Sequence, residues 1–152
     1  MPRPFDPQAL LQMPLMANLA TMSPDGPRNA PVWFHWEEGA LFLLGGRDGS
    51  SVRRIEADPR VAVEIVHYDN AGGVLAHLGF RGEASVQPMD PPLFRRLLSR
   101  YLGPDPQAWN AWFIENIAAI EDPNGRLIRL EPETTFTNNV SFFRTGPGLA
   151  WP

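Results

Sequence analysis

Short apolar segments separated by very tight turn signals fill the first half of the chain, and they leave few ways to fold it. LMANLATM (15–22) ends in the turn SPDGP, NAPVWFHW (29–36) in EEG, and ALFLLG (40–45) in a glycine pair. Strands joined by so few residues must return antiparallel, because a parallel crossover needs a dozen residues or more. The three segments are therefore predicted to form a meander, with the apolar LMANLATM as a buried strand. The β-branched RVAVEIVHY (60–68) and the long VLAHLGFRGEASVQ (74–87) are expected to pair about the turn DNAGG. Gly79 and Gly82 are read as bulge or bend positions.

Helical signals interrupt this pattern. Asp6 followed by Pro7 caps a short helix, QALLQM, that stops near Pro14. GGRDGSSVRRIEADP (45–59) offers an N-cap at Ser50 or Ser51, inward Val52 and Ile55, and a stop before Pro59. From Asp90, Leu93, Leu97, Leu98 and Tyr101 share one helical face that ends at Gly103. DPQAWNAWFIENIAAI (105–120) is predicted as one further helix with Trp109, Trp112, Phe113, Ile117 and Ile120 apolar, and RLIRLEP (126–132) as a closing strand. The order β-β-β-α-β-β-α-α-β predicts one mainly β (α+β) domain over 1–152. Its antiparallel strands form a closed or nearly closed barrel with flanking helices.

Charge and composition narrow the function. A net charge of −4 argues against a general nucleic-acid binder, which needs clustered excess cations. The chain has no cysteine, so it holds neither a disulfide nor a thiolate metal site. No segment resembles a signal peptide or a membrane span, and a cytoplasmic protein with no membrane partner is expected. All 13 basic residues are arginine, so any anion site must use arginine, hydroxyls or backbone N–H groups.

Three segments in order carry a resemblance: ANLATMSPDGPRNAPVWFHW, GGRDGSSVRRIEADPRVAVEI and LGFRGEAS. Over roughly residues 9–131 the chain resembles the FMN-binding split-barrel family of pyridoxamine-phosphate oxidase. The resemblance implies that a flavin ring lies against backbone at Val32, Trp33 and Phe34, with His35 next along the strand, and at Leu44 and Gly45. It implies a phosphate at Arg47, Ser50, Ser51 and Arg53, and places His77 where an amide often approaches the ring. It also implies a homodimer whose partner completes the site. Ser51 stands where the family usually has a basic residue, Gly49 at its usual serine and Gly45 at its usual threonine. The implied activity is FMN-dependent oxidation or reduction of a small molecule. A deazaflavin-dependent reductase, or a non-catalytic flavin or haem carrier, is the alternative.

Other residues read more plainly. Alternation along the strand puts Trp33 on one face and Phe34 with Trp36 on the other, one facing the core and the other open to a ring or an interface. The apolar faces of VWFHW and of the Trp109–Trp112 helix are expected to be covered by a second copy. His35, His67 and His77 are too dispersed for a metal motif, and His77 serves either a ligand or the strand. Ser50, Ser51 and Ser141 lack a hydrolase elbow, and Glu115, Glu121, Asp122 and Glu131 read as surface carboxylates. The tail TTFTNNVSFFRTGPGLAWP, with the tail as a whole counted as 132–152, is expected to pack on the barrel or on a partner.

Overall fold

A computed structural model of the protein describes residues 5–139. The segment NAPVWFHW, expected as one strand, is two. β1 (Ala17–Thr21) pairs with β2 (Arg28–Val32), whereas β3 (Phe34–Glu37) pairs with β4 (Ala40–Leu44). Trp33 lies between them and turns its ring away from the barrel onto the helices. The Phe34 N–H donates to the Tyr101 hydroxyl at 3.0 Å, and that hydroxyl donates to the Leu15 carbonyl at 2.7 Å. These hydrogen bonds satisfy the backbone where strand pairing stops.

α1 (Pro7–Leu11) precedes β1, and α2 (Ser50–Ala57) follows β4. β5 (Arg60–Asp69) and β6 (Val74–Pro88) form the long hairpin. α3 (Pro91–Leu102) and α4 (Ala111–Ile120) lead to β7 (Arg126–Leu130) and β8 (Thr134–Asn139). The strands make one antiparallel sheet, ordered β2-β1-β5-β6-β7-β4-β3, with β8 paired to β6. β2 and β3 stand at opposite ends of that path yet are separated only by Trp33. The sheet must therefore curl until its ends meet, which gives the expected split barrel.

Several local expectations are corrected. β5 and β6 stay in uninterrupted register from Arg60↔Glu83 to Asp69↔Val74, so neither Gly79 nor Gly82 is a bulge. Gly82 instead precedes the handover of β6 to β7, at Ala84↔Leu130. A Cβ there would meet Leu130 Cδ1 at 3.1 Å and the Glu131 carbonyl at 3.3 Å. Gly49, not a serine, is the N-cap of α2. The helix expected over 105–120 splits into a single turn at Pro106–Ala108 and α4, with Asp105 and Asn110 as side-chain caps. Trp109 divides them: it is buried, and its indole N–H donates to the Gly103 carbonyl at 2.8 Å. β8 lies within the segment expected as tail; TTFTNN has one apolar residue, Phe136, and so no alternation to mark a strand. Residues 140–152 of that tail, Ser141 included, lie outside the described residues.

Two apolar clusters result. Inside the barrel, Phe34, Leu43, Ile65 and Leu78 meet Leu11 of α1 and Ile55 of α2. Outside it, Phe94, Leu97 and Leu98 of α3 and Trp109 pack on Leu127, with Trp33 and Phe42 at the edge. Arg100 ties the layers together: its guanidinium sits 4.9 Å above the Phe34 ring and donates to the carbonyls of Phe34 and Met13.

Candidate functional site

Where the barrel closes, β2 and β4 end side by side beneath α3 and α4. Val32, Trp33 and Leu44 line a cleft of about 350 Å³ with Leu98 of α3 and Trp112 and Ile120 of α4. These three sequence candidates are thus brought together, and no charged side chain lines the space. Phe34 is not among them: its ring is fully buried in the barrel and both its backbone polar groups are engaged by α3. Trp33 is not free to stack on a ligand either. Its ring lies 4.4 Å from Tyr101 at 2° and 5.7 Å from Phe113 at 19°. Trp112, by contrast, is 56% exposed and meets Phe113 edge-on.

The chain passes from Leu44 directly into the glycine loop that opens α2. A Cβ on Gly45 would sit 2.5 Å from Val52 Cγ2 and 3.1 Å from the Arg126 carbonyl, and one on Gly49 would sit 2.0 Å from the Gly45 carbonyl. The loop folds so closely on itself that a side chain at either position would force its neighbours to move. The result is a cradle of bare backbone ending in the free N–H groups of a helix N-terminus, a geometry suited to an anion.

The arginines around it divide. Arg47 is exposed and lies 3.5 Å from Asp122, two residues beyond Ile120 at the cleft. The Asp122 carboxyl is held below the ordinary range, first by the Asn124 N–H and to a smaller degree by Arg47. Arg53 points outward and donates to the Asp48 carbonyl at 2.7 Å. The cation beside Ser51 is Arg54, which is not among the residues the resemblance implies. Its Nη2 donates to Ser51 Oγ at 3.4 Å and its Nε to the buried Thr21 hydroxyl at 2.7 Å. Helical spacing carried the signal, since i and i+3 share a face and i+2 does not.

The histidines lie apart from the cleft. His77 is on β6, separated from β2 by β1 and β5, or roughly 14 Å at ordinary strand spacing. It pairs with Glu64 and meets Phe136 edge-on on the outer face of the sheet. His35, 12% exposed, hydrogen-bonds Glu37 through Nε2 at 2.8 Å, and its Nδ1 is buried without a partner. Burial lowers its pKa below 6.5, opposed by the Glu37 hydrogen bond. Among the described residues no group of His, Asp and Glu could hold a metal ion. Nor is any helix among them long and apolar enough to cross a membrane.

A curled antiparallel sheet split at Trp33, with a glycine loop feeding a helix at its seam, defines a split-barrel protein. Residues 7–139 match the family described as pyridoxamine 5'-phosphate oxidase, and the chain belongs to that family. It is similar to a solved F420 reductase at 28% identity and a TM-score of 0.65, covering 88% of this chain and 98% of that one. The fold is shared with an FAD-binding protein from Mesorhizobium loti (17% identity, TM-score 0.58, 88% and 91% covered). It is also shared with a heme storage protein from Vibrio cholerae (20%, 0.62, 86% and 91%). No curated protein sequence matches the chain.

Proposed function

We propose that the protein binds a flavin-type cofactor and serves as an oxidoreductase for a small molecule. The observation that carries this reading is the backbone cradle at Gly45–Gly49, running from an apolar cleft into the start of α2. FMN is the first choice, its phosphate at the cradle with Ser50, Ser51 and Arg47, and with Arg54 rather than Arg53 behind Ser51. The ring would run past Val32, Trp33 and Leu44 at the seam. When bound, the cofactor supplies the hydride or electron transfer, and the chain's residues hold the phosphate, orient the ring and exclude water. A deazaflavin is the second reading, supported by the resemblance to an F420 reductase.

A homodimer completes the proposal, seated on the outer sheet. The VWFHW strand is largely covered within one chain, by Tyr101 at Trp33 and by Phe80 at Trp36. Among the exposed apolar residues, Val66 and Phe136 lie on the outer sheet around Glu64 and His77, 38% and 57% exposed, while Trp112 and Ile114 of α4 are 56% and 45% exposed.

The test is titration of the purified protein with FMN, riboflavin and F420, read by fluorescence quenching. FMN should bind more tightly than riboflavin, which lacks the phosphate. Arg54→Ala should narrow that difference by about 10- to 150-fold, since a charge-assisted contact contributes roughly 1.5–3 kcal/mol. Ser51→Lys should widen it. No quenching by either flavin or deazaflavin at high micromolar protein overturns the reading.

A further inference from the structure

His35 lies under α3 at a point where positive charge outnumbers negative. Along β3, Phe34 and Trp36 face the barrel, so His35 and Glu37 face the helix. Arg96 of α3 reaches the Glu37 carboxylate at 2.9 Å, and Arg100, one turn on, reaches the Phe34 carbonyl at 3.3 Å. The two arginines thus bracket His35 along the strand. Opposite it on β4 stands Phe42, with the Arg129 guanidinium 6.0 Å over its ring and Glu131 3.4 Å from that guanidinium. Glu37 is the only carboxylate, among the described residues, that hydrogen-bonds His35, Arg96 or Arg100.

Arg100 is held without a counter-charge. The carbonyls of Leu11, Met13 and Phe34 accept its hydrogen bonds, and its Nε is buried with no partner. Beside it the Tyr101 hydroxyl joins the Phe34 N–H to the Leu15 carbonyl. Together the two side chains pin residues 11–15 to the seam, and Tyr101 is also the ring stacked on Trp33. A neutral His35 suits this arrangement, because its Nε2–H donates to Glu37 and its buried Nδ1 carries no proton. A proton on Nδ1 would be a buried donor with no acceptor, and would place a third cation around one carboxylate. Burial lowers the pKa of His35 in place, against the pull of Glu37, and Arg100 and Arg96 lower it further. A ring released into water returns to its ordinary 6.5, so acid favours the released form.

We propose that His35 is an acid-sensitive latch, whose protonation frees Arg100 and Tyr101 and so releases residues 11–15 and the end of α3 while the barrel stays folded. As a control on the cleft beside Trp33 the latch rests on the cofactor reading, whereas the release itself does not.

Hydrogen exchange resolved by NMR and corrected for intrinsic rate tests the release at residues 11–15, at Phe34 and at 98–103, with 61–66 of β5 as the reference. Between about pH 7.5 and about pH 5.5, exchange at the first three should rise several-fold and by no more than about tenfold, the limit for one proton on a ring that titrates at 6.5 when free. The reference should not move. Nitrogen-detected spectra of the histidine side chains should show the His35 proton on Nε2 and a titration below 6.5. His35→Asn should abolish the rise. Two further variants shift it in opposite directions, which a merely structural role would not do. Glu37→Gln removes the carboxylate and should move the release to lower pH, and Arg96→Gln removes a cation and should move it to higher pH. The latch is overturned if His35 titrates at or above 6.5, if exchange does not depend on pH, or if the rise persists in His35→Asn. It is also overturned if 61–66 opens in step, which is global unfolding, or if Glu37→Gln and Arg96→Gln shift the release the same way. FMN titration at both pH values keeps the two readings apart. Release without flavin binding leaves the latch standing and removes its role at the cofactor cleft, and flavin binding without release does the reverse.

Discussion

The curled sheet has two outer faces, and they are treated in opposite ways. Over β3, β4 and β7 the outer face is roofed by α3 and α4, and β4 is apolar on both sides. In β4, Leu41 and Leu43 point into the barrel while Phe42 joins the helical layer; in β7, Ile128 points in and Leu127 out. Over β1, β5 and β6 no described helix packs outside, and the strands alternate: Val61, Val63 and Ile65 face in, while Ala62, Glu64 and Val66 face out. The candidate site lies at the border of the two regimes, where β2 leaves the bare face and β3 enters the roofed one. A cleft forms there because the helices cover the sheet only up to its seam.

If this contrast governs stability, the same deletion must have very different costs on the two faces. Phe94→Ala removes a ring buried to 1% under the roof and should cost about 3–5 kcal/mol in urea unfolding. Phe136→Ala, on the bare face, should cost less than about 1 kcal/mol, since that ring is 57% exposed. Similar costs would mean that the bare face is covered in solution.

The seam itself can be probed with Gly45→Thr, which restores the hydroxyl usual in the family. Val52 and the Arg126 carbonyl occupy the space a side chain needs, so the variant should lose about 1–3 kcal/mol and gain no FMN affinity. A gain in affinity at unchanged stability would show that the loop opens readily and that the cradle is not fixed by packing.

Acid should weaken the roofed side through His35, which lies on β3 near Glu37, Arg96 and Arg100. Burial holds the folded imidazole neutral below its ordinary 6.5, so the unfolded chain takes up the proton first as pH falls. Stability should therefore be lost from about pH 6.5 downward until the folded ring also protonates. Glu37, held low by its hydrogen bonds to His35 and Arg96, adds its own loss only below the ordinary carboxylate range near 4.5. His35→Asn should flatten the upper part of the pH–stability curve. An unchanged curve would place the sensitivity on another group.

The smallest effect on folding is expected from Ala62→Arg, at the centre of the bare face. Unfolding should stay within about 0.5 kcal/mol of the native protein at low concentration, while light scattering shifts from dimer to monomer mass. A native protein that is monomeric at every concentration would end the dimer proposal.

Much of this architecture was legible because local rules and tertiary demand agree. Asp6–Pro7, Asp90–Pro91 and Gly103 bound their helices as expected, since each supplies a cap or a stop by its own chemistry. The run ALFLL is apolar at every position and is covered on both sides, whereas RVAVEIV alternates and is covered on one. Where expectation failed, contacts between distant residues had overridden local preference. Trp109 broke a continuous helical pattern because burial and the Gly103 carbonyl drew it out of the helix. A bulge or bend at Gly79 and Gly82 is what the strand pattern suggests, because only neighbouring elements reveal that a Cβ there meets Glu64, Leu130 or Glu131.

The site divides along the same line. Sequence alone determined the class of fold, the glycine loop at the head of α2 and the exclusive use of arginine near any anion, since turn chemistry, periodicity and residue type act over a few residues. The tertiary structure decided which candidates meet: Val32, Trp33 and Leu44 share a cleft, Phe34 is sealed in the barrel, and His77 lies on another face. It also put Arg54 rather than Arg53 beside Ser51 and left Trp112 open at the cleft. Those outcomes depend on how far the sheet curls and where α3 and α4 settle on it, and that is fixed by packing between segments far apart in the chain.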